Sequence, residues 1–116
     1  MKVIIAGGRN FKNTKRDCDL LLNLHQKYNF TEIVSGTAKG ADAFGESFAR
    51  YIKLPIKKFK PDWSLGKIGG ILRNEQMAKY ADALILFEGG KGSKNMMDNA
   101  LKYNIKILHN DNSDTK

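Results

Sequence analysis

The stretch EGGKGSKN at residues 88–95 combines three glycines, a serine and two lysines directly after the apolar run ADALILF at residues 81–87. Glycine permits positive φ angles and lets the backbone approach a ligand closely, because no Cβ stands in the way. A helix that begins after such a turn directs free backbone N–H groups towards an anion. This pattern predicts a phosphate-binding turn made of Gly89, Gly90, Gly92 and Ser93.

Two other glycine-containing turns follow apolar runs in the same way. The turn GGRN at residues 7–10 follows KVIIA, and SGTAKGAD at residues 35–42 follows the run that begins TEIV. If the three turns share one edge of a sheet, all of them contribute to one anion site. The further ligand contacts predicted from these two turns are Gly7, Gly8, Arg9, Asn10, Ser35, Gly36, Gly40 and Asp42.

The elements that must position these turns alternate along the chain. Short apolar runs predict strands at residues 2–6, 31–35, 54–59, 81–87 and 105–109. Helical spacing predicts helices at residues 14–27, within 36–53, and at 71–80 and 93–103, with a loop at 60–70. We therefore expect a single three-layer α/β/α Rossmann-like domain with a parallel five-stranded sheet over residues 1–109, followed by a flexible C-terminal tail at 110–116.

The expected strand order explains why the turns matter together. In a parallel sheet the carboxyl ends of all strands lie on one edge, and ligands bind there where the strand order reverses. An order of 3-2-1-4-5 places this reversal between the first and fourth strands. The turns GGRN and EGGKGS then face each other across a crevice.

Two arginines are the strongest candidates for direct contact with a ligand. Arg9 follows the first strand, and two interpretations remain open: a forked contact to phosphate, or a surface salt bridge. Arg73, followed by Asn74, borders the crevice from the third helix. It contacts a phosphate or a ribose, or else pairs with Glu75 or Asp42.

Two further side chains also have a structural alternative. Asp42 lies at the start of the second helix, where a carboxylate either stabilises the helix N-terminus or accepts a bond from a ribose hydroxyl. Trp63 lies in the predicted loop and either stacks on a base or packs over the edge of the sheet.

Several functional classes lack their signatures. Neither a G-x-x-x-x-G-K-[ST] motif nor a G-x-G-x-x-G motif after the first strand is present. His25 and His109 have no partners at ligand spacing, so we expect no metal and no cofactor. The net charge of +8, to which Lys91 and Lys94 contribute beside the turn, favours an anionic partner. The single Cys18 and the lack of a long apolar run favour a cytoplasmic protein with no signal peptide and no membrane segment.

In order, VIIAGGRNF, VSGTAKGADAFGESFA and KPDWSLGKIGGILRNEQMAKYADALILFEGGKGSKNMMDNA resemble the YspA-like branch of the SLOG superfamily, over about residues 2–109. The superfamily is named after the DNA-processing protein DprA (Smf) and the LOG phosphoribohydrolases. The resemblance implies a Rossmann-type domain that binds nucleotides or nucleotide-derived signals. It also implies an origin in phages or mobile elements, and a homo-oligomer.

The resemblance to LOG enzymes leaves catalysis in question. Arg73 matches their conserved arginine, but Met96 occupies the position of their glutamate and Glu88 that of a proline. Glycoside hydrolysis needs a carboxylate, which methionine does not supply. We therefore predict binding, meaning sensing or sequestration, of a nucleotide or nucleotide-derived signal. The alternatives are a LOG-like nucleoside-monophosphate phosphoribohydrolase (N-glycosidase), with Asp42, Glu75 or Asp98 as its carboxylate, and a nucleic-acid-binding module related to DprA.

Overall fold

The computed structural model describes residues 1–112 and contains the expected parallel sheet. Its five strands lie in the order β3-β2-β1-β4-β5, so the strand order reverses between β1 and β4. Every neighbouring pair is parallel. The strand bounds are β1 Lys2–Ala6, β2 Glu32–Ser35, β3 Ile56–Lys58, β4 Ala83–Leu86 and β5 Lys106–Asn110.

The helices connect these strands in sequence. Their bounds are α1 Lys15–Tyr28, α2 Ala41–Ile52, α3 Lys67–Tyr80 and α4 Lys91–Lys102. A short 3-10 turn at Trp63–Leu65 precedes α3. None of the helices in residues 1–112 is long and apolar enough to cross a membrane.

Alternate residues of β1 face opposite layers of the domain. Val3 and Ile5 are fully buried in the layer that α1 and α2 cover. Ile4 and Ala6 belong to a second apolar cluster, which α3 and α4 cover. This two-sided burial explains why the strands are continuously apolar, and it confirms the three-layer α/β/α arrangement.

The prediction of a loop over residues 60–70 is wrong for most of this segment. The structure forms the 3-10 turn there and begins α3 at Lys67, before the two glycines that suggested a loop. Gly69 lies inside the helix, and a Cβ at this position would overlap with the carbonyl oxygen of Asp62. The glycine therefore permits close packing of the helix and does not mark a flexible segment.

The fourth helix also begins earlier than predicted. It starts at Lys91 and not at Ser93, so Gly92 lies in its first turn and not in the preceding loop. At the C-terminal end, Asn110 belongs to β5 and the Asn112 side chain accepts a hydrogen bond from the Gly89 N–H. Residues 113–116 of the tail predicted to be flexible lie outside the described residues.

Candidate functional site

Backbone contacts join the three glycine-containing turns at the carboxyl edge of the sheet. The Gly8 N–H donates to the carbonyl of Glu88 at 2.9 Å, and the Gly8 carbonyl accepts from the Ala41 N–H at 3.1 Å. Gly40 has a φ of +72°, and a Cβ there would overlap with the Gly8 carbonyl oxygen. The turns after β1, β2 and β4 therefore form one connected surface.

A pocket of about 550 Å³ opens at this surface, where the strand order reverses. The predicted ligand contacts that line it are Gly7, Gly8, Arg9, Asp42, Arg73, Asn74, Gly90, Gly92 and Ser93. The other lining residues are Ala6, Ala38, Trp63, Lys67, Gly70, Ile71, Met77, Lys91, Asn95 and Met96. Basic side chains outnumber acidic ones on this lining, which favours an anionic ligand.

The remaining predicted contacts lie beside the pocket. Asn10 and Gly89 line an adjacent depression, and Gly40 lines a groove between α1 and α2. Ser35 is buried under the turn after β2, where its hydroxyl donates to a Glu46 carboxylate oxygen at 2.6 Å. These residues support the turns around the pocket.

Arg73 is held by hydrogen bonds on two sides. Its Nη1 donates to the carbonyl of Gly36, and its Nε donates to Oδ1 of Asn74 at 2.9 Å. Asn74 in turn donates to Oδ1 of Asn95 on α4 at 2.9 Å. Burial lowers the pKa of the Arg73 guanidinium from its usual value, although the Asp42 carboxylate opposes the shift. Within residues 1–112, Nη2 has no hydrogen-bond acceptor, so it remains able to bind a ligand.

Asp42 lies in the first turn of α2 and is only 5% exposed. Its Oδ2 accepts a hydrogen bond from the Ala38 N–H at 3.1 Å. Burial raises the pKa of the Asp42 carboxyl above its usual 3.8, against the effects of that N–H and of Arg73. Asp42 forms no ion pair with the lysines and arginines of residues 1–112.

Ser93 presents a buried hydroxyl at the start of α4. The residue is 5% exposed, and its Oγ has no hydrogen-bond partner in the described part of the chain. Gly89 lies directly against it, since a Cβ there would overlap with Oγ. A buried hydroxyl without a partner costs free energy, which a ligand in the pocket can recover by accepting its hydrogen bond.

Trp63 forms part of the pocket wall. Its side chain is 54% exposed, and the guanidinium carbon of Arg9 lies 5.6 Å from the ring centroid. The ring also borders Gly70, where a Cβ would lie 3.3 Å from Cη2. The sequence left two interpretations of Trp63 open. It did not identify Lys67, Gly70 or Ile71 as lining residues, because the start of α3 was predicted to be a loop.

The carboxylates considered for hydrolysis are in different environments. Of Asp42, Glu75 and Asp98, only Asp42 lines the pocket. Glu75 instead accepts a hydrogen bond from the Tyr103 hydroxyl at 2.8 Å, and Asp98 is exposed. Met96, at the position of the LOG glutamate, is 1% exposed and packs in the apolar cluster under α3 and α4 while touching the pocket floor.

A family model described as YAcAr, the YspA, cpYpsA-related SLOG family, matches residues 1–66, which is more than half of the chain. The matched segment runs from β1 to just after the 3-10 turn, so it includes Arg9, Asp42 and Trp63. It ends before Arg73 and the turn after β4. The comparisons with curated proteins and with solved structures found no match.

Proposed function

Since the chain belongs to the YspA, cpYpsA-related SLOG family, we propose that its pocket binds a nucleotide or a nucleotide-derived signal, which the protein senses or sequesters. Membership of this family is consistent with nucleotide-related binding. One observation carries the proposal: Arg9, Arg73 and Ser93, whose buried hydroxyl has no partner within residues 1–112, line a single pocket at the reversal of strand order.

The phosphate lies against the turns after β1 and β4. Arg9 offers a forked donor there, Ser93 offers a hydroxyl, and the first turn of α4 offers free backbone N–H groups. Hydrogen bonds to a charged group contribute about 1.5–3 kcal/mol each. Three of them contribute about 4.5–9 kcal/mol before the cost of association, so micromolar affinity, which corresponds to about −8 kcal/mol, also requires the contacts of the base and the sugar.

The base stacks on Trp63. The indole is largely exposed, lines the pocket and already interacts with the guanidinium of Arg9. Stacking of a base on an aromatic side chain contributes about 1–3 kcal/mol. The pocket volume of about 550 Å³ also falls in the range of small-molecule sites.

Binding is favoured over glycoside hydrolysis by the position of Met96. This thioether packs where the resemblance to LOG enzymes places a catalytic glutamate, and it supplies neither a base nor a negative charge. The hydrolase would instead be supported if the protein converts a nucleotide into free base and ribose phosphate and if Arg73→Ala loses this activity.

Mass spectrometry of the small molecules released on denaturing the purified protein tests the proposal. The comparison is an Arg73→Ala/Gly90→Val double variant. A Cβ at Gly90 meets no heavy atom within 4 Å, so the Gly90→Val change makes the pocket smaller without overlap at Cβ. Arg50→Ala is the matched control, because Arg50 is an exposed arginine on α2 that does not line the pocket.

We expect a nucleotide-like mass from the native protein and from the Arg50→Ala control, but not from the double variant. The proposal is wrong if no such mass is released and no common nucleotide raises the melting temperature. Binding of oligonucleotides that falls steeply with salt would then favour the nucleic-acid alternative.

A further inference from the structure

Asp42 has one carboxylate oxygen that the fold does not use. Its Oδ2 accepts from the Ala38 N–H at 3.1 Å, whereas Oδ1 accepts no hydrogen bond from residues 1–112. The residue is 5% exposed and lines the pocket. A buried carboxylate without a cation or a full set of donors is costly. Burial accordingly raises the pKa of Asp42. The hydrogen bond from Ala38 therefore explains only one of the two carboxylate oxygens.

Arg73 lies beside Asp42, against the same backbone segment. A Cβ on Gly36 would stand 2.7 Å from Nη1 of Arg73 and 2.8 Å from Oδ2 of Asp42. The two charged groups are thus close neighbours, yet they form no ion pair. Each retains hydrogen-bonding capacity, an acceptor on Asp42 and a donor on Arg73.

The chemistry of a group that fits both neighbours is restricted. A phosphate oxygen only accepts hydrogen bonds and would be repelled by the carboxylate, whereas an exocyclic amine chiefly donates and leaves the arginine unsatisfied. A hydroxyl donates through its hydrogen and accepts through its oxygen, so it satisfies both. In a nucleotide these hydroxyls belong to the ribose, between the base and the phosphate.

We propose that Asp42 and Arg73 form a ribose subsite, in which Asp42 accepts a hydrogen bond from a ribose hydroxyl that in turn accepts one from Arg73. This inference rests on the proposed nucleotide binding and adds the class of ligand. The site selects a ribonucleoside phosphate over the same molecule without its hydroxyls. The phosphate remains with Arg9 and Ser93, and the base with Trp63.

The test compares the affinities of AMP, GMP, CMP and UMP with those of their 2′,3′-dideoxy counterparts, measured by calorimetry on the full chain. We expect each ribonucleotide that binds to do so at least about 10-fold more tightly than its dideoxy form, because a charged hydrogen bond is lost. In Asp42→Asn the ratio should fall to about 3-fold or less, since the amide nitrogen takes the place of Oδ1 and cannot accept a hydrogen bond from the hydroxyl. The asparagine oxygen can still accept from Ala38.

Ser93→Ala is the matched control, because Ser93 is assigned to the phosphate. Ser93→Ala should weaken the binding of the ribonucleotide and of its dideoxy form equally, so the ratio of the two affinities should not change. The inference is overturned, with nucleotide binding intact, if native protein binds ribonucleotides and dideoxynucleotides alike or if Asp42→Asn preserves the ratio. If no member of the panel binds, the proposed function fails for nucleoside monophosphates and the ribose subsite fails with it.

Discussion

The guanidinium of Arg9 lies over the indole of Trp63, with its central carbon 5.6 Å from the ring centroid. This cation–π contact joins the turn after β1 to the 3-10 turn before α3. Trp63 is also the single tryptophan of the chain, so its fluorescence reports from the wall of the pocket alone.

Replacing Trp63 with alanine tests base stacking. We expect nucleotides to change the fluorescence of the native protein, and Trp63→Ala to weaken binding by about 5- to 150-fold, which corresponds to 1–3 kcal/mol of stacking. Calorimetry measures the affinity, because the variant has no tryptophan signal. Tyr51→Ala is the control, since Tyr51 is an exposed aromatic residue outside this pocket. Equal affinities of the two variants would contradict a role for Trp63.

Replacing Ser93 with alanine should separate stability from binding. The change removes a buried hydroxyl that has no partner in residues 1–112, so we expect the free energy of unfolding to stay constant or rise by about 1 kcal/mol. Affinity for the tightest-binding nucleotide should fall by about 10-fold or more. Urea denaturation and calorimetry measure the two effects. Ser47→Ala, on the exposed surface of α2, is the control and should change neither the free energy of unfolding nor the affinity. A clear loss of stability in Ser93→Ala would show that the Ser93 hydroxyl has a structural role.

The raised pKa of Asp42 predicts how stability depends on pH. The folded protein binds this proton more tightly than the unfolded chain, so the free energy of unfolding falls as pH rises from the usual pKa of 3.8 through the raised value. Asp42→Asn removes this loss. As pH rises from 3.8 to the raised pKa, the free energy of unfolding of Asp42→Asn should therefore increase relative to that of the native protein. Above the raised pKa the difference should stay constant.

Urea denaturation of the ligand-free protein at several pH values between 4 and 8 measures this difference, with about 1.4 kcal/mol expected for each unit of pKa shift. The exposed carboxylate at Asp98 supplies the control, because Asp98→Asn should change the unfolding free energy by less than about 0.5 kcal/mol. A pH-independent difference for Asp42→Asn would show that burial does not disfavour its charge.

Two glycines with similar φ angles allow the cost of backbone strain to be measured apart from the cost of steric overlap. Gly40 and Gly66 have φ angles of +72° and +68°, but a Cβ at Gly66 meets no heavy atom within 4 Å. Gly66→Ala should cost about 1–3 kcal/mol of stability, because its φ of +68° and ψ of −146° lie in a region that essentially only glycine adopts. Gly40→Ala should cost about 1–3 kcal/mol more, because its Cβ overlaps with the Gly8 carbonyl. Similar costs in denaturation experiments would show that the turn after β1 can move away.

The sheet could be predicted from the sequence because its signals are local. Apolar runs mark the strands, and the order that places β1 beside β4 follows from common α/β topology. The start of α3 could not be predicted, since Gly69 is explained by its contact with Asp62 and not by the local backbone. Likewise, the neighbouring positions of Asp42 and Arg73 depend on how two distant turns pack around Gly36.

The pairing of β1 with β4 has a consequence for the order of events during folding. The Lys2 N–H donates to the Asp82 carboxylate, 80 residues further along the chain, and β1 pairs directly with β4. Closing so long a loop costs chain entropy before any contact compensates it, which slows the step. A nascent chain that has formed only β1, β2 and β3 therefore has one wall of the pocket. The other wall, from α3 and the turn after β4, forms only after synthesis has reached α4, so under the proposed function nucleotide binding would report that β1 has paired with β4.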